Sequence, residues 1–131
     1  MSKNTPSRIN IKSKKDFDEL YTYGKTIYSS DSKWKAVFLV KEKSSSPSLM
    51  FAATVHKKSG TSVWRNRIKR LLREACRLKK NILTDNLIKN NLFIKIIFSP
   101  NLINQREFKI IRLNDTLPGI ADILNKIKNQ F

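Results

Sequence analysis

Cysteine is nearly missing from this chain. Cys76 stands alone, so no intramolecular disulfide can form, and a reducing compartment suits the composition. Only three glycines and four prolines occur, which excludes collagen-like and low-complexity readings. The single histidine, His56, has no partners at metal-ligand spacing. The ten acids are scattered and make no evident metal-binding cluster of the kind a protein-based nuclease uses. No apolar run approaches the ~18 residues of a membrane span, and the run near Leu92 is broken by Lys95. The N-terminus has no apolar signal-peptide core. These absences predict a cytoplasmic protein with no membrane partner, no small-molecule substrate, no bound metal and no catalytic side chain of its own.

What the chain has is positive charge. Lysine and arginine total 27 against 10 acids, for a net charge of +17 over 131 residues. A compact domain with that excess repels itself unless an anionic partner neutralises it. Nucleic acid is the first candidate, because neutralising phosphates releases counterions. Hydrophobic residues make up 40%, enough for a core in one domain spanning 1–131. Residues 1–15 carry five basic residues and no acid, and the first twelve read as a flexible basic arm.

The pattern along the chain alternates between helical and extended periods. Ser13 to Tyr23 reads as a short helix, with Phe17, Leu20 and Tyr21 at spacings of three and four and Gly24 as its stop. Thr26–Ser30, Trp34–Lys41 and Leu49–His56 read as strands, the last two joined by a polar surface loop over Glu42–Ser48. A helix is expected from Thr61 or Ser62 to about Lys80, capped by a hydroxyl. A polar connection follows. Asn91–Ser99 reads as a buried strand ended by Pro100, Gln105–Arg112 as a short helix, and Thr116–Phe131 as a final amphipathic helix with Pro118 near its first turn. The expected class is α/β in the α+β sandwich sense, with about four strands in a small mixed sheet and helices packed on it.

The central helix is the most informative segment. At about 100° per residue, Trp64, Ile68, Leu71, Leu72, Ala75 and Leu78 fall on one side. Arg65, Asn66, Lys69, Arg70, Arg73, Arg77 and Lys80 fall opposite, with Arg67 on the flank. Residues 57–80 hold ten basic residues and one acid, Glu74. A merely solvated face normally mixes signs in i, i+4 pairs, and like charges at those spacings destabilise a helix. The prevalence of arginine favours bidentate phosphate contacts. Cys76, at the margin of the apolar side, reads as a small packing residue.

The run Arg65-Asn66-Arg67-Ile68-Lys69-Arg70-Leu71-Leu72-Arg73-Glu74-Ala75-Cys76-Arg77 resembles the signature helix of bacterial ribonuclease P proteins. Its flanks fit as well: a strand ending in Lys57-Lys58, a turn containing Gly60, and upstream Lys14, Phe17, Tyr21 and Gly24. The resemblance covers residues 12 to 98 well and the remainder in pattern. It departs from the family pattern at Ala52, His56 and Ser99.

The resemblance implies a left-handed βαβ crossover containing the signature helix, against the usual right-handed preference. It implies a protein subunit of ribonuclease P. The partners would be a catalytic RNA and precursor tRNA, with Mg²⁺ held mainly by the RNA and the 5′ leader removed endonucleolytically. Arg65, Asn66, Arg67, Lys69, Arg70, Arg73 and Arg77 would contact the catalytic RNA. Phe17, Tyr21, Phe38, Lys57 and Lys58 would belong to a cleft for the single-stranded leader, where aromatic side chains can stack on bases. A ribosomal or ribosome-assembly RNA-binding protein explains charge and size equally, but not the signature helix in its strand–turn–helix setting. A helix-turn-helix DNA binder would require a second packed helix instead of the flanking strands.

Overall fold

The computed structural model describes residues 13–131; the basic arm expected at 1–12 lies outside them. Four strands and four helices follow in the order α1 Lys14–Tyr23, β1 Lys25–Tyr28, β2 Trp34–Lys41, β3 Ser48–Ala53, α2 Ser62–Lys79, α3 Asn81–Asn90, β4 Phe93–Pro100 and α4 Leu113–Lys128. The sheet order is β1-β2-β4-β3. The β1–β2 and β2–β4 pairs are antiparallel and β3–β4 is parallel. A parallel neighbour needs a crossover, and α2 with α3 supplies it. The expected α+β fold with a mixed four-stranded sheet is therefore present.

Strand alternation divides the sheet into two faces. Trp34, Ala36 and Phe38 of β2, Leu49 and Phe51 of β3, and Ile94, Ile96 and Phe98 of β4 pack with α2, α3 and α4 into the main core. The opposite face carries α1. There Leu20, Ala52 and Ile97 are buried, with Phe17, Val37, Leu39 and Met50 packed around them. The sheet is thus covered by three helices on one side and by one short helix on the other.

Local chemistry explains the helix boundaries. The Ser13 hydroxyl caps α1 by accepting from the Lys15 N–H at 3.1 Å. Gly24 ends α1 as expected, but its φ of −74° is not left-handed. A Cβ there would lie 2.4 Å from the Leu20 carbonyl oxygen and 2.7 Å from Val37 Cγ1. Close approach to β2, not backbone freedom, selects this glycine. Thr61 caps α2, its hydroxyl accepting from the Trp64 N–H at 3.2 Å.

Three expectations change. Residues 81–90 form a helix instead of a polar connection. It ends at Asn91, which adopts φ 53°, a left-handed conformation that asparagine tolerates. Residues 105–112 are not helical; the Gln105 N–H and the Phe108 and Ile111 carbonyls bond to Ser59, Trp64 and Arg67 outside the segment. The last helix starts at Leu113, three residues earlier than expected, so Pro118 lies beyond its first turn.

Candidate RNA interface

The apolar side of α2 holds it on the sheet. Trp64, Ile68, Leu72, Ala75 and Cys76 are buried, and burial pushes the Cys76 thiol well above its ordinary range. Leu71 is half-buried and Leu78 is exposed, so Leu78 leaves the core assignment. The helix reaches further around than the wheel predicts: Cys76 is in the core and Leu78 at the rim.

The cationic side is open to solvent. Asn66, Arg67, Arg70, Arg73 and Arg77 are exposed, while Arg65 and Lys69 are half-buried. Among the described residues, Glu74 is the only acid ion-paired to this face, and its partner is Arg77. That hydrogen bond lowers the Glu74 carboxyl and raises the Arg77 guanidinium from their ordinary values.

Two further arginines, Arg65 and Arg67, have partners within the protein. Arg65 Nε donates to the Gly60 carbonyl at 3.1 Å and its guanidinium donates to the Ser62 hydroxyl at 3.0 Å. Arg67 donates to the Ile111 carbonyl at 3.0 Å. Both retain further N–H groups for phosphate, since a guanidinium carries five.

A second feature lies on the α1 face of the sheet. A cleft of about 500 Å³ is lined by Tyr21, Thr26, Tyr28, Lys35, His56 and Ser99, among others. Register explains the grouping. Lys35 pairs with Tyr28 on one side and with Ser99 on the other, so one row across three strands presents an aromatic, a cation and a hydroxyl. Tyr21 overhangs them from α1. Tyr21 and Tyr28 are 58% and 46% exposed, so their rings are accessible.

The expected leader-cleft set is only partly brought together. Tyr21 lines the cleft. Phe17, half-buried, packs against Leu20, Ala52 and Ile97 beside it. Phe38 does not belong there. It is 3% exposed in the main core on the face opposite α1, because β2 alternation points it away from that helix. Lys57 and Lys58 are exposed in the 3-10 turn that follows His56, and Lys58 lines a different cavity. His56 Nδ1 accepts from the Lys58 N–H at 3.1 Å and so shapes that turn.

Tyr28 and Lys35 are the residues the sequence reasoning missed. Their alternation with Ile27 and Ala36 was readable. Which face α1 would cover was not.

The acids do not build a cation site. No group of three or more His, Cys, Asp or Glu that could hold a metal occurs among the described residues. Asp16 and Glu19, which share Lys95, both hydrogen-bond its ammonium. Among the described residues these two carboxylates are thus engaged by an ammonium.

The profile of the family described as Ribonuclease P matches residues 5–112. The chain belongs to the ribonuclease P family. The fold agrees with that membership. The ribonuclease P protein of Thermotoga maritima superposes with a TM-score of 0.68 at 18% identity, covering 89% of this chain and 96% of the other. The Staphylococcus aureus ribonuclease P protein gives 0.66 at 21% identity, covering 92% and 95%. No curated protein matches the sequence significantly. Ribonuclease P proteins as different as these share the sheet and helices seen here.

Proposed function

We propose that this chain is the protein subunit of a bacterial ribonuclease P, acting as a single domain in the cytoplasm. It binds a catalytic RNA through the cationic face of α2 and the 5′ leader of precursor tRNA through the cleft beside α1. The observation that carries the reading is the exposed stripe Asn66, Arg70 and Arg73 with Arg65 and Arg67 at its head, almost free of acids, in a chain of this family. A helix face with so little counter-charge is destabilising alone and is compensated when phosphates neutralise it.

In this reading the protein contributes affinity and placement. The α2 guanidiniums grip RNA phosphates in bidentate fashion. Tyr21 and Tyr28 offer stacking surfaces to unpaired bases, and Lys35 between them offers a charge to the leader backbone. Duplex RNA hides its base faces, so the cleft discriminates for the single-stranded leader. The chemistry and its Mg²⁺ belong to the RNA subunit. The left-handed sense of the β3–α2–α3–β4 crossover is part of the same reading. Among the described residues, no helix is long and apolar enough to cross a membrane.

The test is precursor tRNA cleavage by a bacterial catalytic RNA at low Mg²⁺, with and without the protein. Stimulation of correct 5′ cleavage is expected. No stimulation, together with no binding to the catalytic RNA, overturns the reading.

A further inference from the structure

The longest irregular stretch of the described chain is the connection between β4 and α4, residues 101–112. Loops of about 12 residues without regular structure are uncommon in compact domains and are often functional. This one is tied down at several points. The Gln105 N–H donates to the Ser59 carbonyl at 2.7 Å, and the Gln105 side-chain oxygen accepts from the Thr61 N–H at 2.8 Å. Trp64 Nε1 donates to the Phe108 carbonyl at 3.0 Å, and Arg67 to that of Ile111 at 3.0 Å. A Cβ on Gly60 would lie 2.6 Å from the Trp64 ring and 2.8 Å from Gln105 Oε1. Glycine is thus required for the loop to approach the start of α2.

The loop and the turn before α2 enclose an open cavity of about 1060 Å³. Lys58 enters it from the turn, and Arg106 and Lys109 from the loop. None of the three is in an ion pair among the described residues. The only acid in the lining is Glu107, whose Oε1 accepts from Asn104 Nδ2 at 3.0 Å. Three unpaired cations converge on one concavity, and their backbone is held in place before any ligand arrives. The cavity adjoins the signature helix, since the Gly60 carbonyl in its wall is the one Arg65 holds.

We propose that Lys58, Arg106 and Lys109 form a second phosphate-binding surface, which extends the α2 face and grips the backbone of the same catalytic RNA. Arg67 is a positioning residue for it through the Ile111 carbonyl. The inference rests on the proposed function, because that reading supplies the RNA. Continuity with the α2 face commits it to the catalytic RNA in preference to the tRNA. The cavity is wide and open, which suits a polymer backbone.

The experiment compares wild type, R106A/K109A and E107Q in catalytic-RNA binding across a salt series. Thermal melts establish that each variant folds. Each lost phosphate contact lowers the salt slope by roughly 0.7–0.9. The double variant is therefore expected to bind about tenfold or more weakly near physiological salt, with a slope smaller by about 1.4–1.8. E107Q keeps the Asn104 acceptor, removes the one negative charge and should bind tighter. Unchanged affinity and slope in R106A/K109A overturn the proposal. So does a loss confined to precursor tRNA with catalytic-RNA binding intact. Failure of wild type to bind the catalytic RNA would instead overturn the proposed function.

Discussion

Lys95 Nζ lies 2.7 Å from Asp16 Oδ1, joining the middle of β4 to the first turn of α1. The same ammonium donates to Glu19 Oε1 at 2.9 Å, and Lys41 of β2 lies 3.5 Å from the other Glu19 oxygen. Helix α1 has one fully buried side chain, Leu20. Its position over the sheet, and so that of Tyr21 over the cleft, depends on this network as well as on apolar contact.

K95M is expected to destabilise the protein by about 2 kcal/mol. Removing one partner of a fully buried pair costs about 3–5 kcal/mol, but Asp16 and Glu19 keep contact with water. The pH dependence has a definite sign. The Lys95 hydrogen bond holds the Glu19 carboxyl below its ordinary 4.5. Its contribution is therefore present above that value and lost as pH falls through the depressed one. Burial works to lower the Lys95 ammonium, and the Asp16 and Glu19 hydrogen bonds overcome it, leaving it above 10.5. Its contribution is full below 10.5 and is lost as pH rises through the raised value. Urea midpoints for wild type and K95M should differ near neutrality and converge on acidification below 4.5. A gap that stays constant there would show that Glu19 does not use Lys95 in folding.

The two sides of α2 separate folding from binding. Leu72 is fully buried, and L72A should cost about 2–5 kcal/mol. R70A or R73A should leave the melting temperature in place and lower the salt slope of RNA binding by roughly 0.7–0.9. R67A is expected to lower the melting temperature as well as the salt slope, because the tether to Ile111 is lost with the charge. Equal melts for R67A and R73A would count against the tether.

Much of this site was legible in sequence because α2 has a strong 3.6-residue period and charges of one sign. The α3 helix was not, since Asn81, Thr84, Asp85 and Asn86 conceal the i, i+4 pair Leu83 and Leu87 that it buries. Phe108 and Ile111, three apart, imitate a helix in a loop whose carbonyls are in fact taken by Trp64 and Arg67. The strand alternation of β2 was also visible, but α1 covers Val37 and Leu39 while Phe38 faces the main core on the opposite side. That choice is tertiary, and it moves Phe38 from cleft to core.

Gly119 gives a packing test of the other sheet face. It is buried on α4, and a Cβ there would lie 2.4 Å from Trp34 Cδ1. Trp34 is 1% exposed and packed in the main core, so a shift of its ring would disturb its neighbours. Alanine in a helix normally gains about 1 kcal/mol over glycine, whereas overpacking costs about 1–3 kcal/mol. G119A is therefore expected to lower stability despite its better helix propensity. A higher melting temperature would mean that α4 shifts away from β2 at little cost.

Tyr21 tests the leader cleft. It is 58% exposed on the C-terminal turn of α1 and faces Tyr28, Lys35 and His56 across the cleft. So exposed a ring contributes little to the core, and Y21A should fold normally. Stacking on one unpaired base is worth about 1–3 kcal/mol. Holoenzyme carrying Y21A should therefore bind precursor tRNA roughly 5–150-fold more weakly by that measure, while mature tRNA, which has no leader, is bound as before. F17A is a poorer probe, because Phe17 packs on Leu20 and Ile97 and its loss would loosen α1 itself. L39A removes a side chain from the same seam away from the cleft lining and controls for that loosening. The measured quantity is the ratio of precursor to mature affinity at fixed Mg²⁺ and salt. If Y21A keeps the wild-type ratio, Tyr21 has no part in holding the leader.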